Sequence, residues 1–142
     1  MITNERQYAM TKKQVARFEE ALSRQDEKRP GLHPKAQKAM REGAESQLQD
    51  LQAELAEYEK LRGGEITAID ADSILGLAGA LIKARIARNW TQRELGERLE
   101  LPEQQIQRYE ATLYKGVSIE RVQAVADALK LRVREVVTIE PL

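Results

Sequence analysis

Residues 90–114, WTQRELGERLELPEQQIQRYEATLY, decide how this chain is read. The pattern is that of two short helices joined tightly at Glu100 and Leu101. Thr91 is placed to cap the first, with Glu94 three residues on as the reciprocal partner of a capping box. Pro102 stands at the first position of the second, where a missing N–H costs nothing. On that second helix Ile106, Tyr109, Glu110 and Leu113 recur at i, i+3, i+4 and i+7, which predicts one buried face. Glu103, Gln104, Gln107, Arg108 and Ala111 make the opposite face, long-armed and rich in amides. Gln and Arg are side chains that form paired hydrogen bonds with adenine and guanine edges in the major groove. A short scaffold helix followed by an outward helix of this kind is a layout that reads duplex DNA.

Arg85, Thr91 with Gln92, the run Glu94, Leu95, Gly96, then Ile106 and the run Arg108, Tyr109, Glu110 together resemble the XRE (Cro-type repressor) helix-turn-helix family. The likeness runs over residues 73–131, less than half of the chain, and several spaced positions agree at once. It implies a lambda-repressor-like helical domain with double-stranded DNA as partner. It also implies a structural ion pair between Arg85 on the first helix of the domain and Glu110 at the end of the reading helix. Gln104, Gln107 and Arg108 are then expected to read bases, and a plain solvated helix face is the alternative. Glu103 shares their face and is expected to accept from cytosine N4 or to repel phosphates at wrong sites. Gln92, at the start of the scaffold helix, is expected to meet a phosphate and to orient the reading amide. Arg93, Tyr114 and Lys115 are the further candidates for backbone phosphates. Four features depart from the family. Gly96 replaces the usual Ala, Glu100 stands at the turn Gly, Pro102 replaces a Ser/Thr cap, and the segment after Glu110 is longer than usual.

Basic and acidic side chains balance at 23 each, so the formal net charge is zero. Nucleic-acid binders usually carry a net positive field. Non-specific DNA affinity is therefore expected to be weak, with specificity resting on base contacts and dimerisation. Locally, Lys83, Arg85, Arg88 and Arg93 occur with no acid between them, and Arg108 and Lys115 follow. With Arg85 structural, the others form a modest phosphate-facing set. One Trp and one Phe argue against a large β-sandwich core, while abundant Ala, Glu, Gln, Leu, Arg and Lys favour helices. The chain has no Cys and one His, which excludes disulfides and thiolate metal sites. His33, just before Pro34, reads as a cap or surface residue rather than a ligand or base. No P-loop, GxGxxG, HExxH or GxSxG motif occurs, so neither an enzyme nor a cofactor is expected. No apolar run reaches the length of a membrane span and residues 1–5 open no signal-peptide core, so the expected setting is the cytosol.

Upstream, residues 1–8 read as a polar lead-in and Thr11 as the cap of a helix over residues 12–25. Its stripe of Val15, Phe18 and Leu22 is narrow, the mark of packing on one neighbour. Residues 26–33, DEKRPGLH, contain a Pro-Gly break. From Pro34 to Arg62 runs an uninterrupted helical pattern carrying Ala36, Met40, Ala44, Leu48, Leu51, Leu55, Tyr58 and Leu61, near the heptad step in its second half. At the standard rise it is about 43 Å long, more than the first helix can cover. The rest of the seam is open to a second copy, to another protein or to the chain's own downstream domain. Gly63 and Gly64 end the helix and read as a joint between domains.

Residues 65–71 read as extended. Asp72 then caps a helix to about Arg88 that buries Leu75, Ala78, Leu81, Ile82 and Ile86, and Asn89 closes it in the left-handed conformation. Trp90 plugs the seam between this helix and the next. Ser118 caps a last helix with a buried stripe of Ile119, Val122, Val125, Ala126 and Leu129. Residues 131–139, LRVREVVTI, are β-branched and charged. They read as a strand that pairs with residues 66–69 or with the same tail of a second subunit, or as a short helix.

The expected fold is all-α: an N-terminal helical hairpin or coiled coil over residues 1–62, for dimerisation or partner binding, and a helix-turn-helix domain over residues 65–142 with a short β tail as one option. The resemblance implies a sequence-specific transcriptional regulator, a repressor that binds an inverted-repeat operator as a homodimer. Two alternatives stand beside it. One is an antitoxin that clasps a toxin protein through residues 48–61 and regulates its own operon. The other is a coiled-coil adaptor that does not bind DNA.

Overall fold

The structure, a computed structural model, describes residues 1–24, 31 and 33–142. Among the described residues there are six helices and no strand, so the protein is all-α. They divide into two compact units, Met1–Ile66 and Thr67–Leu142.

The first unit is a hairpin of α1 (Glu5–Arg24) and α2 (Pro34–Arg62). α1 starts well before the expected residue 12, because Asn4 rather than Thr11 caps it. The Asn4 side chain accepts from Gln7 N at 2.9 Å while Gln7 Oε1 accepts from Thr3 N at 2.8 Å. That reciprocal exchange satisfies two free donors at once, as a capping box does. Thr11 lies inside the helix, buried, and its hydroxyl donates back to Gln7 O at 2.9 Å, a bond that leaves the helix unbroken. α2 begins at Pro34, with His33 Nδ1 accepting from Lys35 N at 3.2 Å. It closes on Gly64, whose φ of 76° allows Glu65 N to reach Lys60 O and Gly64 N to reach Leu61 O, each at 3.2 Å. These are the two bonds of a Schellman closure. Gln25 and most of the expected break at 26–33 lie outside the described residues.

One end of the hairpin is tightly made. Tyr8 stacks on Tyr58 with ring centroids 5.1 Å apart, and Glu5 accepts from Tyr58 OH at 3.0 Å and Arg62 Nη1 at 2.6 Å. The Arg62 bond holds the Glu5 carboxyl below its usual range. Further along, Val15, Phe18, Leu22, Leu48, Leu51 and Leu55 are only half-buried, since two helices provide no second layer over the seam.

The second unit contains α3 (Gly76–Ala87), α4 (Gln92–Leu99), α5 (Glu103–Ala111) and α6 (Ile119–Ala128). α4 packs against α5 and α6, and α3 against α6. Leu81, Ile82, Leu95, Ile106, Val125 and Leu129 are each at most 1% exposed and form the centre of the core. Several edges differ from expectation. Ser73 Oγ, not Asp72, accepts from Gly76 N at 2.9 Å, so α3 starts later and Leu75 is left 84% exposed. Residues 65–71 form no strand. Ser118 does cap α6, accepting from Arg121 N at 3.2 Å, but Ile119 in that first turn is 76% exposed and the buried stripe begins later. Residues 131–142 are neither strand nor helix, and all beyond Leu131 are exposed.

All four helices of this unit end in the same way. Asn89, Glu100, Leu113 and Lys130 have φ between 51° and 56°, and the residue after each bonds back to the carbonyl five residues before it. Only Asn89 is a residue that the left-handed conformation suits. After α5 the reversal takes Leu113 out of helical phase, so the expected i+7 position is 49% exposed and Tyr114 fills the core instead, 6% exposed.

Candidate nucleic-acid interface

The α4–turn–α5 unit is fixed from both ends. At its start Thr91 Oγ1 accepts from Glu94 N at 3.1 Å, and Glu94 Oε2 accepts from Thr91 N at 2.7 Å. At the turn Glu100 takes φ 55°, and Leu101 N donates to Gly96 O at 2.8 Å. A Cβ placed on Gly96 would lie 2.6 Å from Leu101 O, so only glycine lets the turn close this tightly against α4. Pro102, with ψ 149°, is the N-cap of α5 rather than its first helical residue, and no side chain accepts from the first turn.

Beneath α5 lies a buried polar cluster. Arg85 Nη2 lies 2.6 Å from Glu110 Oε1, and Arg85 Nε donates to both carboxylate oxygens at 2.7 and 3.1 Å. Arg85 Nη1 donates to Trp90 O at 2.7 Å, tying the end of α3 to the start of α4. Burial pushes the Glu110 carboxyl above its ordinary value, against the opposing pull of Arg85 and Gln92.

Two expected DNA contacts fall in this cluster instead of on the surface. Gln92 is 6% exposed and its Nε2 donates to Glu110 Oε2 at 3.3 Å. A buried carboxylate in need of further donors has captured the amide. Tyr114 is turned inward by the left-handed pair Leu113 and Tyr114, and its ring lies 5.5 Å from that of Tyr109. Its burial, with Glu110 nearby, raises the phenol well above its usual value. Both side chains hold α5 in place from below.

The outer face of α5 is open. Glu103, Gln104, Gln107, Arg108 and Ala111 are all exposed, and at helical spacing they share an arc of about 140°. Gln107 Nε2 touches Glu103 Oε1 at 3.5 Å. Among the described residues the side chains of Gln104, Arg108 and Lys115 make no hydrogen bond or ion pair. Arg93, exposed on α4, forms a surface pair with Glu97 at 3.1 Å. Arg88 does not join the expected phosphate-facing set, because its guanidinium donates to Leu129 O at 3.1 Å and Lys130 O at 3.3 Å, closing the end of α6. Trp90 is half-buried, and Arg98 covers it with its guanidinium 3.6 Å from the ring centroid. The sequence reading missed Arg98 in this role, and its spacing of four from Glu94 marks only an ordinary helix-face pair. The arrangement offers two amides and a guanidinium to an external acceptor-rich surface, with Glu103 the acid among them.

Residues 81–136 match the family model described as helix-turn-helix. No curated protein and no solved structure matches the chain.

Proposed function

We propose that the protein, whose residues 81–136 match a helix-turn-helix family model, is an XRE-type DNA-binding transcriptional regulator, a repressor acting as a homodimer on an inverted-repeat operator. The observation that supports this most is the open arc of α5, where Gln104, Gln107 and Arg108 stand clear of the core on a helix held rigidly from below. In this reading Gln104 and Gln107 pair with adenine edges and Arg108 with guanine. Arg93 and Lys115 take phosphates, and Glu103 accepts from cytosine N4 or rejects wrong sites by repulsion. Two such helices about 34 Å apart, one turn of DNA, reach the two half-sites. Replacing Gln104, Gln107 and Arg108 together by Ala should abolish specific binding with helicity unchanged. Unaltered operator affinity in that variant contradicts the assignment.

A second reading, an antitoxin, is favoured by one feature of the hairpin unit. Its apolar seam is half-covered, and an open recess is lined by the half-buried Phe18 and Leu51 and the exposed Gln14, Arg17, Gln47 and Asp50. A toxin seated there should co-purify from the native host and be harmful when expressed alone. A pull-down that recovers only the chain itself, beside a harmless neighbouring gene product, removes this reading.

A further inference from the structure

The C-terminal tail has the composition of a strand and no strand to pair with among the described residues. Val136, Val137 and Ile139 are 79%, 89% and 94% exposed. It leaves the domain from a fixed point, since Leu131 N donates to Ala126 O at 3.0 Å and Lys130 N to Asp127 O at 3.0 Å. β-branched residues at 133 and 136–139, with cations early and an acid late, make the segment complementary to its own reverse.

We propose that two copies of the protein pair these tails as antiparallel strands, in the register that sets Val136 opposite Val136. Arg132 then faces Glu140 and Val133 faces Ile139, each pair occurring twice by symmetry, while Arg134 faces Thr138. Cross-strand pairs of opposite charge and of β-branched residues are the units that stabilise a ribbon. The neighbouring register centred on Glu135 sets two carboxylates against each other. The one centred on Val137 sets Arg134 against Glu140 but gives up the pair of Val133 with Ile139, moving Val133 against Pro141. The two Leu131 anchors would stand ten positions apart along the ribbon, about 33 Å, on the scale of the ~34 Å between half-sites. The proposal rests on the homodimer of the preceding reading and names the segment that forms it.

Single-cysteine variants of the full chain test it, because the protein has no cysteine of its own. Directly opposed Cα atoms lie about 4.5–5.5 Å apart, within disulfide reach. Val136→Cys should therefore give a covalent dimer on mild oxidation. Thr138→Cys should not, its two copies being about 13 Å apart in this register. In sedimentation equilibrium Arg132→Glu and Glu140→Arg should each weaken the dimer roughly tenfold, as two lost pairs with repulsion in their place require. The double variant should restore it. Equal cross-linking at both positions overturns the register. A dimer that neither cross-links at 136 nor responds to the charge reversals overturns the tail pairing and leaves the homodimer intact through another surface. A chain that stays monomeric at every concentration overturns both.

Discussion

Arg85 and Glu110 face each other across the second unit with their side chains 3% and 2% exposed, and Arg85 Nη2 lies 2.6 Å from Glu110 Oε1. One sits in the last turn of α3, the other near the end of α5, and Gln92 at the head of α4 donates to the same carboxylate. Three helices thus share one buried charge pair, and the orientation of α5 depends on it. Glu110→Gln removes the charge that Arg85 Nε and Nη2 face in a buried site and should destabilise the fold by about 3 kcal/mol. Urea denaturation measures this. Replacing both members by apolar residues, as in Arg85→Met with Glu110→Leu, should recover much of the loss, since it also removes the desolvation cost. If the double variant loses as much as Arg85→Met and Glu110→Leu lose separately and summed, the pair contributes no coupling.

Gly96 and Glu100 make opposite predictions about one turn. Gly96→Ala places a Cβ 2.6 Å from the Leu101 carbonyl and should cost about 1–3 kcal/mol as the turn is forced open. Glu100→Gly relieves a left-handed residue and should stabilise by about 1 kcal/mol. Thermal melts of the two variants should move in opposite directions from the parent.

Glu94 governs part of the acid sensitivity. The bonds it accepts from Thr91 hold its carboxyl below the ordinary value. A lowered folded pKa means that this contribution is present above the unfolded value and is lost as pH falls through the folded one. Glu94→Gln keeps an acceptor for the capping box but cannot titrate. The melting-temperature advantage of the parent over this variant should therefore shrink on acidification below the usual carboxylate range. Parallel pH profiles would mean that Glu94 contributes no such dependence.

Trp90 is the sole tryptophan, so the guanidinium stacked on it can be tested optically. Arg98→Ala should shift the emission of Trp90 to longer wavelength as water reaches the ring, and lower stability by about 1 kcal/mol. An unchanged spectrum would mean that Arg98 does not cover the indole in solution.

The parts of this fold that were legible in the sequence are those with local punctuation. Pro34 and the pair Gly63 and Gly64 bound α2 whatever packs around it, and Thr91 with Glu94 announces α4. The exposed arc of α5 followed from the 3.6 period that separates it from Ile106. Arg85 and Glu110 lie far apart in the chain, and only the resemblance set them side by side. Misreadings arose where the cause is tertiary or backbone strain. Thr11 looks like a cap, yet Asn4 and Gln7 satisfy more donors. The helical period carried past α5 puts Leu113 in the core, but the helix ends in two left-handed non-glycine residues, which carry no sequence signal. Gln92 is at a helix start in either reading, and only the position of the Glu110 carboxylate decides where its amide turns. The tail has a strand's pattern, but a strand needs a partner that its own domain does not supply.

The central claim is that the amides and guanidinium of α5 read a DNA sequence. Selection of bound duplexes from a random pool by the full chain tests it most directly. The account predicts enrichment of an inverted repeat with half-sites one helical turn apart, lost when Gln104, Gln107 and Arg108 are replaced by Ala. Recovery of a pool no different from its starting composition would contradict it.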